Sequence, residues 1–218
     1  MVSGEGCAVA ATGAGDAQRD RTRFSARHTT SHMGFHTFDA DGADRLERAA
    51  VRYRWVSAEE VVGPFAGDES GVLADLGSGT GFYTDDVAER AETVYGVDVQ
   101  PEMHEYYREK GVPENVELVA SDVADLPFAD GELDGAFSTM TYHEFASPEA
   151  VAEVARVVET GGPLVVFDWT ADGDGEHGPP VDERFAADDA VATLEAAGFE
   201  VDSASTRTET FGVVARAP

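Results

Sequence analysis

Between Val72 and Trp169, five short apolar runs alternate with helical patterns, and that alternation admits few folds. The runs are VLADL (72–76), TVYGVDV (93–99), VELVAS (116–121), LDGAFST (133–139) and PLVVFDW (163–169). Each is almost continuously apolar, which marks strands buried on both faces. Helices predicted over 82–91, 101–110 and 148–159 supply the covering layers. The last of them carries Val151, Val154, Ala155 and Val158 at helical spacing and stops at Gly161-Gly162. A further helix over 187–197, ended by Gly198, precedes FEVDSAST and FGVVARA. Only a few residues separate these two runs, so they pair as an antiparallel hairpin at the sheet edge. The expected fold class is α/β: a doubly wound, seven-stranded, mostly parallel sheet whose last strand is antiparallel.

The amino-terminal region has a different character. Residues 1–32 are rich in Gly, Ala, Ser, Asp and Arg without any period, and read as a disordered tail or a mis-assigned start. An amino-terminal helical cover is expected over 33–70, and the ligand-binding domain over 71–218. Asp41 and Asp44 are read as caps of a helix running to about Arg54, with Leu46, Ala49, Ala50 and Tyr53 on one face. Ser57 followed by Glu60 forms a capping box for a second helix that Gly63-Pro64 closes. His28, His32 and His36 recur every four residues, but Thr29-Thr30-Ser31 and Gly34 argue against one helix carrying them, and no metal is assigned.

Charge narrows the partners. The 218 residues include 43 acidic and 15 basic side chains, a formal net charge of −28, and Lys110 is the only lysine. Phosphate backbones and anionic membranes both require a basic face, so neither nucleic acid nor a membrane surface is an expected partner. No apolar run approaches the roughly 20 residues that cross a bilayer. The first 15 residues show no leader pattern, and one cysteine permits no internal disulfide or Cys-based zinc cluster. A soluble, cytoplasmic protein is expected. The charge itself reads as adaptation to concentrated salt, where repulsion is screened within roughly 3 Å at 1 M.

The stretch VLADLGSGTGFYTDDVAE carries the chemistry. A buried strand runs into Asp75, then Gly77, Gly79 and Gly81, then a helix. Glycines turn the chain sharply and let a ligand approach the backbone. Asp98 ends the next strand, 21 residues after Gly77, where a carboxylate accepts hydrogen bonds from ribose hydroxyls. The spacing is G-x-G-x-G, with Phe82 where a dinucleotide fingerprint needs its third glycine. A carboxylate at Asp75 suits a cationic ligand better than a pyrophosphate. S-adenosyl-L-methionine has an ammonium, a sulfonium and a ribose, and no phosphate. An NAD(P)-dependent oxidoreductase is the competing reading, and a non-catalytic binding module a third.

With these motifs the sequence resembles the class I S-adenosylmethionine-dependent methyltransferases, the small-molecule branch that includes ubiquinone/menaquinone-type enzymes. DLGSGTG resembles the glycine loop of that family, VYGVDVQPEM its ribose-binding strand end, and ASDVADLPFADGELDGAF its third and fourth strand region. VARVVETGGPLVVFDW resembles its helix–Gly-Gly–strand segment, with Glu159-Thr160 in place of the usual Lys-Pro. HTFDADGADRLERA and DWTADGDGEHGPPVDERF resemble a bacterial and archaeal subgroup. The resemblance implies a Rossmann-like methyltransferase fold with a small-molecule acceptor. It assigns the cofactor to Asp75, Gly77, Gly79, Gly81, Asp98, Val99, Met103, Asp122, Val123 and Thr139. Asp98 would take the ribose, Gln100 or Met103 would lie near the adenine, Asp122 would bond its amino group, and Val123 would pack on the ring.

Methyl transfer needs little covalent help beyond positioning and exclusion of water. A base is needed only where the acceptor must lose a proton. Candidates sit at the ends of the fourth and fifth strands. His143 is the expected acid/base or acceptor-orienting residue because imidazole titrates near neutrality. Asp168 is expected to orient the acceptor or cap the following loop. Met140 and Tyr142 are expected as cavity walls, Trp55 and Phe65 as core, and Asp85-Asp86 and Asp188-Asp189 as solvated faces and helix starts. The segment lacks the Asn/Asp-Pro-Pro-Tyr arrangement of amino-group methyltransferases acting on nucleobases or glutamine, which agrees with the charge.

Overall fold

The computed structural model describes residues 40–66 and 70–218. The tail reading of 1–32 and the histidines at 28, 32 and 36 lie outside the described residues. The chain enters through a 3-10 helix at Ala40–Arg45, then helices α1 (Ala49–Trp55) and α2 (Ala58–Val62), with a second 3-10 turn at Gly63–Phe65. The single helix expected from Asp41 to Arg54 is therefore split. Arg48, the residue before α1, sits at φ −81°, ψ 87°, outside the helical region, and no side chain caps the helix. Burial of Gly42 and Ala43 fixes the first turn separately from α1, which buries none of its own residues. The Ser57 capping box forms in both directions: the Ser57 N–H donates to Glu60 Oε2 at 2.9 Å, and the Glu60 N–H donates to Ser57 Oγ at 3.4 Å.

The rest alternates strand and helix: β1 (Ser70–Leu76), α3 (Phe82–Ala88), β2 (Ala91–Asp98), α4 (Pro101–Lys110), β3 (Val116–Ala120), β4 (Gly135–Thr139), α5 (Tyr142–Phe145), α6 (Pro148–Val157), β5 (Pro163–Trp169), α7 (Ala187–Ala196), β6 (Glu200–Thr206) and β7 (Thr210–Arg216). One seven-stranded sheet runs in the order β3-β2-β1-β4-β5-β7-β6. β1 to β5 pair in parallel, and β7 is antiparallel to both β5 and β6. The fold class is as expected from the alternation. The hairpin lies at the sheet edge as expected, with β7 between β5 and β6.

Successive residues of a strand point to opposite faces, and the two cores follow from that. Ala74, Leu76, Ala136, Leu164 and Val166 face α6 and α7 with Val151, Val154, Leu194 and Phe211. Leu73, Val94, Phe137 and Val165 face the other side, with Tyr83, Val87, Tyr107, Val56 and Val61. Asp75 shares the face of Leu73, which places its carboxylate under α3. Chain order reverses between β1 and β4, so a crevice opens at the carboxyl ends of these strands, the usual ligand position in such sheets. Among the described residues, no helix is long and apolar enough to cross a membrane.

Candidate active site

A cavity of about 790 Å³ occupies that crevice. Its floor is the loop after β1. The backbone N–H groups of Gly77 and Ser78 donate to Val97 O, both at 2.9 Å, and Thr141 Oγ1 donates to Gly77 O at 3.2 Å, so the loop is held from β2 and from the turn before α5. Gly79 has φ +53°, and a Cβ there would find only Leu46 Cδ1, at 3.8 Å. The backbone at Gly79 thus lies open to a ligand.

Asp98 closes one side. Its Oδ2 accepts the Gly79 N–H and its Oδ1 the Gln100 N–H, each at 2.8 Å. Each oxygen keeps a lone pair for a donor in the cavity. Burial pushes the Asp98 carboxyl up, against the two backbone N–H groups and His104, which favour the charged form.

Asp75 lies beneath the loop rather than on the cavity wall, and is 1% exposed. Thr84 Oγ1 donates to its Oδ2 at 2.6 Å, and Oδ1 has no partner. Burial pushes Asp75 up to about 7; the Thr84 hydrogen bond opposes this, Asp98 adds to it and Arg52 opposes it. Arg52 lines the cavity from α1, with a buried Nε that has no hydrogen-bond partner and a guanidinium 4.9 Å from the centre of the Tyr83 ring.

His143 on α5 and Asp168 on β5 form a buried pair. Asp168 Oδ2 accepts the His143 N–H at 2.6 Å and faces Nδ1 at 2.9 Å, while Oδ1 accepts the Trp169 N–H at 2.8 Å. A carboxylate only accepts, so the ring proton sits on Nδ1 and the neutral imidazole has its lone pair at Nε2. Burial lowers the His143 pKa, but the Asp168 carboxylate and then Glu144 outweigh it, so it stands above the ordinary 6.5. Met140, at the end of β4, has φ +62°, the one positive value at a non-glycine among the described residues. Such strain of roughly 1–2 kcal/mol is held where surrounding structure over-determines it.

Gly77, Gly79, Asp98, Met103, Thr139 and His143 therefore share the cavity wall, with Gln100 and Met140. Asp75, Gly81, Val99, Asp122, Val123 and Asp168 do not line it. Val99 is 54% exposed, Val123 is packed in the core, and exposed Asp122 accepts the Ala124 N–H at 2.9 Å. Three expected roles change. Tyr142 is 1% exposed and is core, not wall, because the short helix α5 turns it under the sheet. Trp55, expected as core, packs on the second cluster and also lines the cavity. Asp85 and Asp86 are anchors more than solvated faces: Tyr107 Oη donates to Asp85 at 2.5 Å and Tyr53 Oη to both Asp86 oxygens at 2.9 Å.

Comparison with known proteins agrees with this geometry. The methyltransferase-domain family profile matches residues 74–166, the stretch from β1 into β5. An uncharacterised methyltransferase-like protein of Schizosaccharomyces pombe is 33% identical over 129 residues, covering 59% of this chain and 49% of that one. The demethylmenaquinone methyltransferase of Corynebacterium kroppenstedtii is 34% identical over 130 residues, covering 59% and 51%. The chain spans about half the length of these two relatives. A crystal structure of an S-adenosylmethionine-dependent methyltransferase from Aquifex aeolicus superposes with a TM-score of 0.73 at 30% identity, covering 84% of this chain and all of that one. This chain belongs to the class I S-adenosylmethionine-dependent methyltransferases. The oxidoreductase reading is thereby set aside.

In this methyltransferase the far wall of the cavity comes from DWTADGDGEHGPPVDERF, a motif to which the sequence assigned no site role. The segment after β5 contributes His177, Gly178, Pro179 and Pro180. Arg184 holds it: Nε donates to Pro179 O at 2.9 Å, Nη1 to Thr170 O at 3.3 Å, and Nη2 to His177 O. Glu209, buried at the β6–β7 turn, balances that guanidinium at 3.1 Å. Gly178-Pro179-Pro180 was the sequence signal for a rigid segment, but only tertiary contacts place it over the site. Arg52, in a short uncapped helix, gave no signal.

Proposed function

We propose that this protein transfers a methyl group from S-adenosyl-L-methionine to a small-molecule acceptor, in the cytoplasm and in concentrated salt. The observation that carries this reading is the open backbone at Gly79 beside the two spare lone pairs of Asp98. That pairing suits a ribose. The buried, unpartnered Asp75 Oδ1 and Arg52 Nε flank the same loop with opposite charges, which fits the zwitterionic end of the cofactor. Asp98 would take the ribose hydroxyls, and Gln100 and Met103 the adenine. Asp122 and Val123 are assigned to the adenine by the family resemblance alone. When bound, the cofactor supplies a methyl carbon made electrophilic by its sulfonium.

His143 presents Nε2 to the acceptor side, oriented by Asp168, and serves as acid/base or as an acceptor-orienting donor. A His143→Ala variant is expected to lower kcat about 100-fold or more with cofactor affinity unchanged; single-turnover rates and calorimetry separate the two. An unchanged kcat would remove the base. The protonated His143–Asp168 pair stabilises the fold fully below the unfolded value of 6.5, and this contribution is lost as pH rises through the raised folded value. The neutral imidazole is the base, so the rate limb rises over that same interval above 6.5.

The cofactor assignment is tested with S-adenosylhomocysteine. Asp98→Ala is expected to weaken its binding by about 1–3 kcal/mol, through lost charge-assisted hydrogen bonds. An unaltered dissociation constant would contradict the role. Asp75→Asn tests the buried carboxylate from the other direction. The raised folded value means that the stability contributed by neutral Asp75 is full below the unfolded value of 3.8 and is lost as pH rises to about 7. The amide is therefore expected to gain roughly 1–3 kcal/mol of stability at pH 8 and to bind S-adenosylhomocysteine more weakly. Lower stability at pH 8 would refute the account of Asp75.

A further inference from the structure

Arg207 and Glu209 carry opposite charges in the short turn between β6 and β7. The Arg207 N–H closes that turn by donating to Thr210 O at 2.7 Å. Neither side chain lines the cavity, yet each reaches one of its walls. Arg207 Nη1 donates to Trp55 O at 2.9 Å, and Nη2 pairs with Glu60, which closes the Ser57 capping box of α2. The planar fork thus fastens the end of α1 and the start of α2 to one point. Its guanidinium lies 5.1 Å from the centre of the Phe167 ring on β5.

Glu209 holds the opposite wall. Its carboxylate meets Arg184 Nη1 at 3.1 Å with both side chains buried, and its carbonyl accepts the Thr170 N–H at 3.0 Å. A Cβ on Gly173 would stand 2.7 Å from Glu209 Oε2, so the segment after β5 runs directly over this carboxylate. Through Arg184 the hold extends to the carbonyls of His177 and Pro179. The two walls then meet. The Trp55 ring lies 5.4 Å from that of Trp169 and 5.1 Å from that of His177, and a Cβ on Gly178 would overlap the Trp169 indole. Trp169 ends β5, and β1 and β4 separate it from β2, which carries Asp98. The contact therefore bounds the half of the cavity away from the ribose position.

We infer that the β6–β7 turn is a brace, and that Arg207 and Glu209 are positioning residues that hold the two walls against each other. For its effect on rate, the inference rests on the methyl-transfer reading above. Transfer tolerates little misplacement of the reacting groups: a shift of about 1 Å costs roughly 100-fold. The cofactor half needs no such brace, because Gly79, Asp98 and Met103 come from the loop after β1, the end of β2 and α4. α1 also stays tied to α3 without Arg207, since Tyr83 Oη donates to Arg52 O at 3.1 Å and to Val56 O at 2.8 Å. What the turn adds is the tie from that wall to the other. It therefore acts on turnover and leaves cofactor affinity alone.

Trp55 and Trp169 are the only tryptophans in the chain, and both lie at the contact, so their emission reports it. The full chain in molar potassium chloride is titrated with acrylamide, an uncharged quencher, as wild type, Arg207→Gln, Glu209→Gln and the double variant. Each single variant is expected to raise the quenching and shift the emission to the red. The double variant is expected to add little, because opening one side already parts the same contact. Labelled methyl carried from S-adenosylmethionine into a small-metabolite extract is expected to fall about 10- to 100-fold, with affinity for S-adenosylhomocysteine unchanged by calorimetry. The Arg207–Glu60 pair is partly exposed and adds little to stability, so if Glu209→Gln fails to fold, Arg207→Gln decides alone on the same readouts. Wild-type quenching in the folded single variants, or a lowered melting temperature with nothing else changed, overturns the brace. So does additive quenching in the double variant, which would mean two independent anchors. Absence of S-adenosylhomocysteine binding to the wild-type chain overturns the methyl-transfer reading instead, and the quenching comparison still decides the brace.

Discussion

A Gly81→Ala variant is expected to lose about 3–5 kcal/mol of folding free energy, while Gly79→Ala loses about 1 kcal/mol. Both glycines have positive φ, +78° and +53°, so backbone strain is common to the pair. Space separates them. Gly81 opens α3, and its Cβ would overlap the ring of Tyr107. That ring is fully buried and cannot swing away: its hydroxyl is bonded to Asp85 at 2.5 Å, and the Lys110 ammonium stands 4.5 Å from its centre. The loss would consume much of a typical stability of about 5–15 kcal/mol. Gly79 instead faces the cavity, so its alanine variant should fold while binding S-adenosylhomocysteine more weakly. Thermal unfolding and calorimetry on the two variants check this. Equal losses of stability would mean that Tyr107 yields, and intact ligand affinity in Gly79→Ala would mean that the backbone there is not the ligand floor.

Lowering the salt is expected to unfold the wild-type chain. The formal charge is −28, and ion pairs among the described residues offset part of it. Lys110 bridges Glu47 and Asp85, Arg156 bridges Asp130 and Glu153, and Arg207 and Arg216 pair with Glu60 and Asp202. With 43 acidic against 15 basic side chains, carboxylates outnumber the cations that could pair with them, and only screening weakens their mutual repulsion. The screening length grows from roughly 3 Å at 1 M salt to about 30 Å at 0.01 M, beyond the spacing of neighbouring surface charges, and self-repulsion then acts across the whole surface. Circular dichroism during stepwise dilution of potassium chloride is expected to show helix loss below roughly 0.3 M, reversed when salt is restored. A spectrum unchanged at tens of millimolar would refute adaptation to concentrated salt.

The sheet was legible because its strands are buried on both faces and read as unbroken apolar runs. The fourth run shortened from 133–139 to 135–139 because Leu133 bridges Val158 outside the sheet and Asp134 turns its carboxylate to the Val72 N–H at 2.6 Å. The helix expected over 82–91 ends at Ala88, since the chain must turn at Glu89 and Arg90 to enter β2. The amino-terminal cover was less legible. α1 is positioned by contacts far off in sequence, Tyr53 to Asp86 and Tyr83 Oη to the carbonyls of Arg52 and Val56, and local propensity carries no trace of them. The glycine loop, Asp98 and His143 could be read from spacing along the chain. Arg52, Trp55 and His177 could not, because they reach the cavity from segments without period, and only the fold brings them together.

Isothermal calorimetry of the full chain in molar potassium chloride, with S-adenosylhomocysteine and NADH as separate titrants, tests the central claim most directly. One S-adenosylhomocysteine per chain and no heat from NADH is the predicted result. Binding of NADH, or of neither nucleoside, would contradict it.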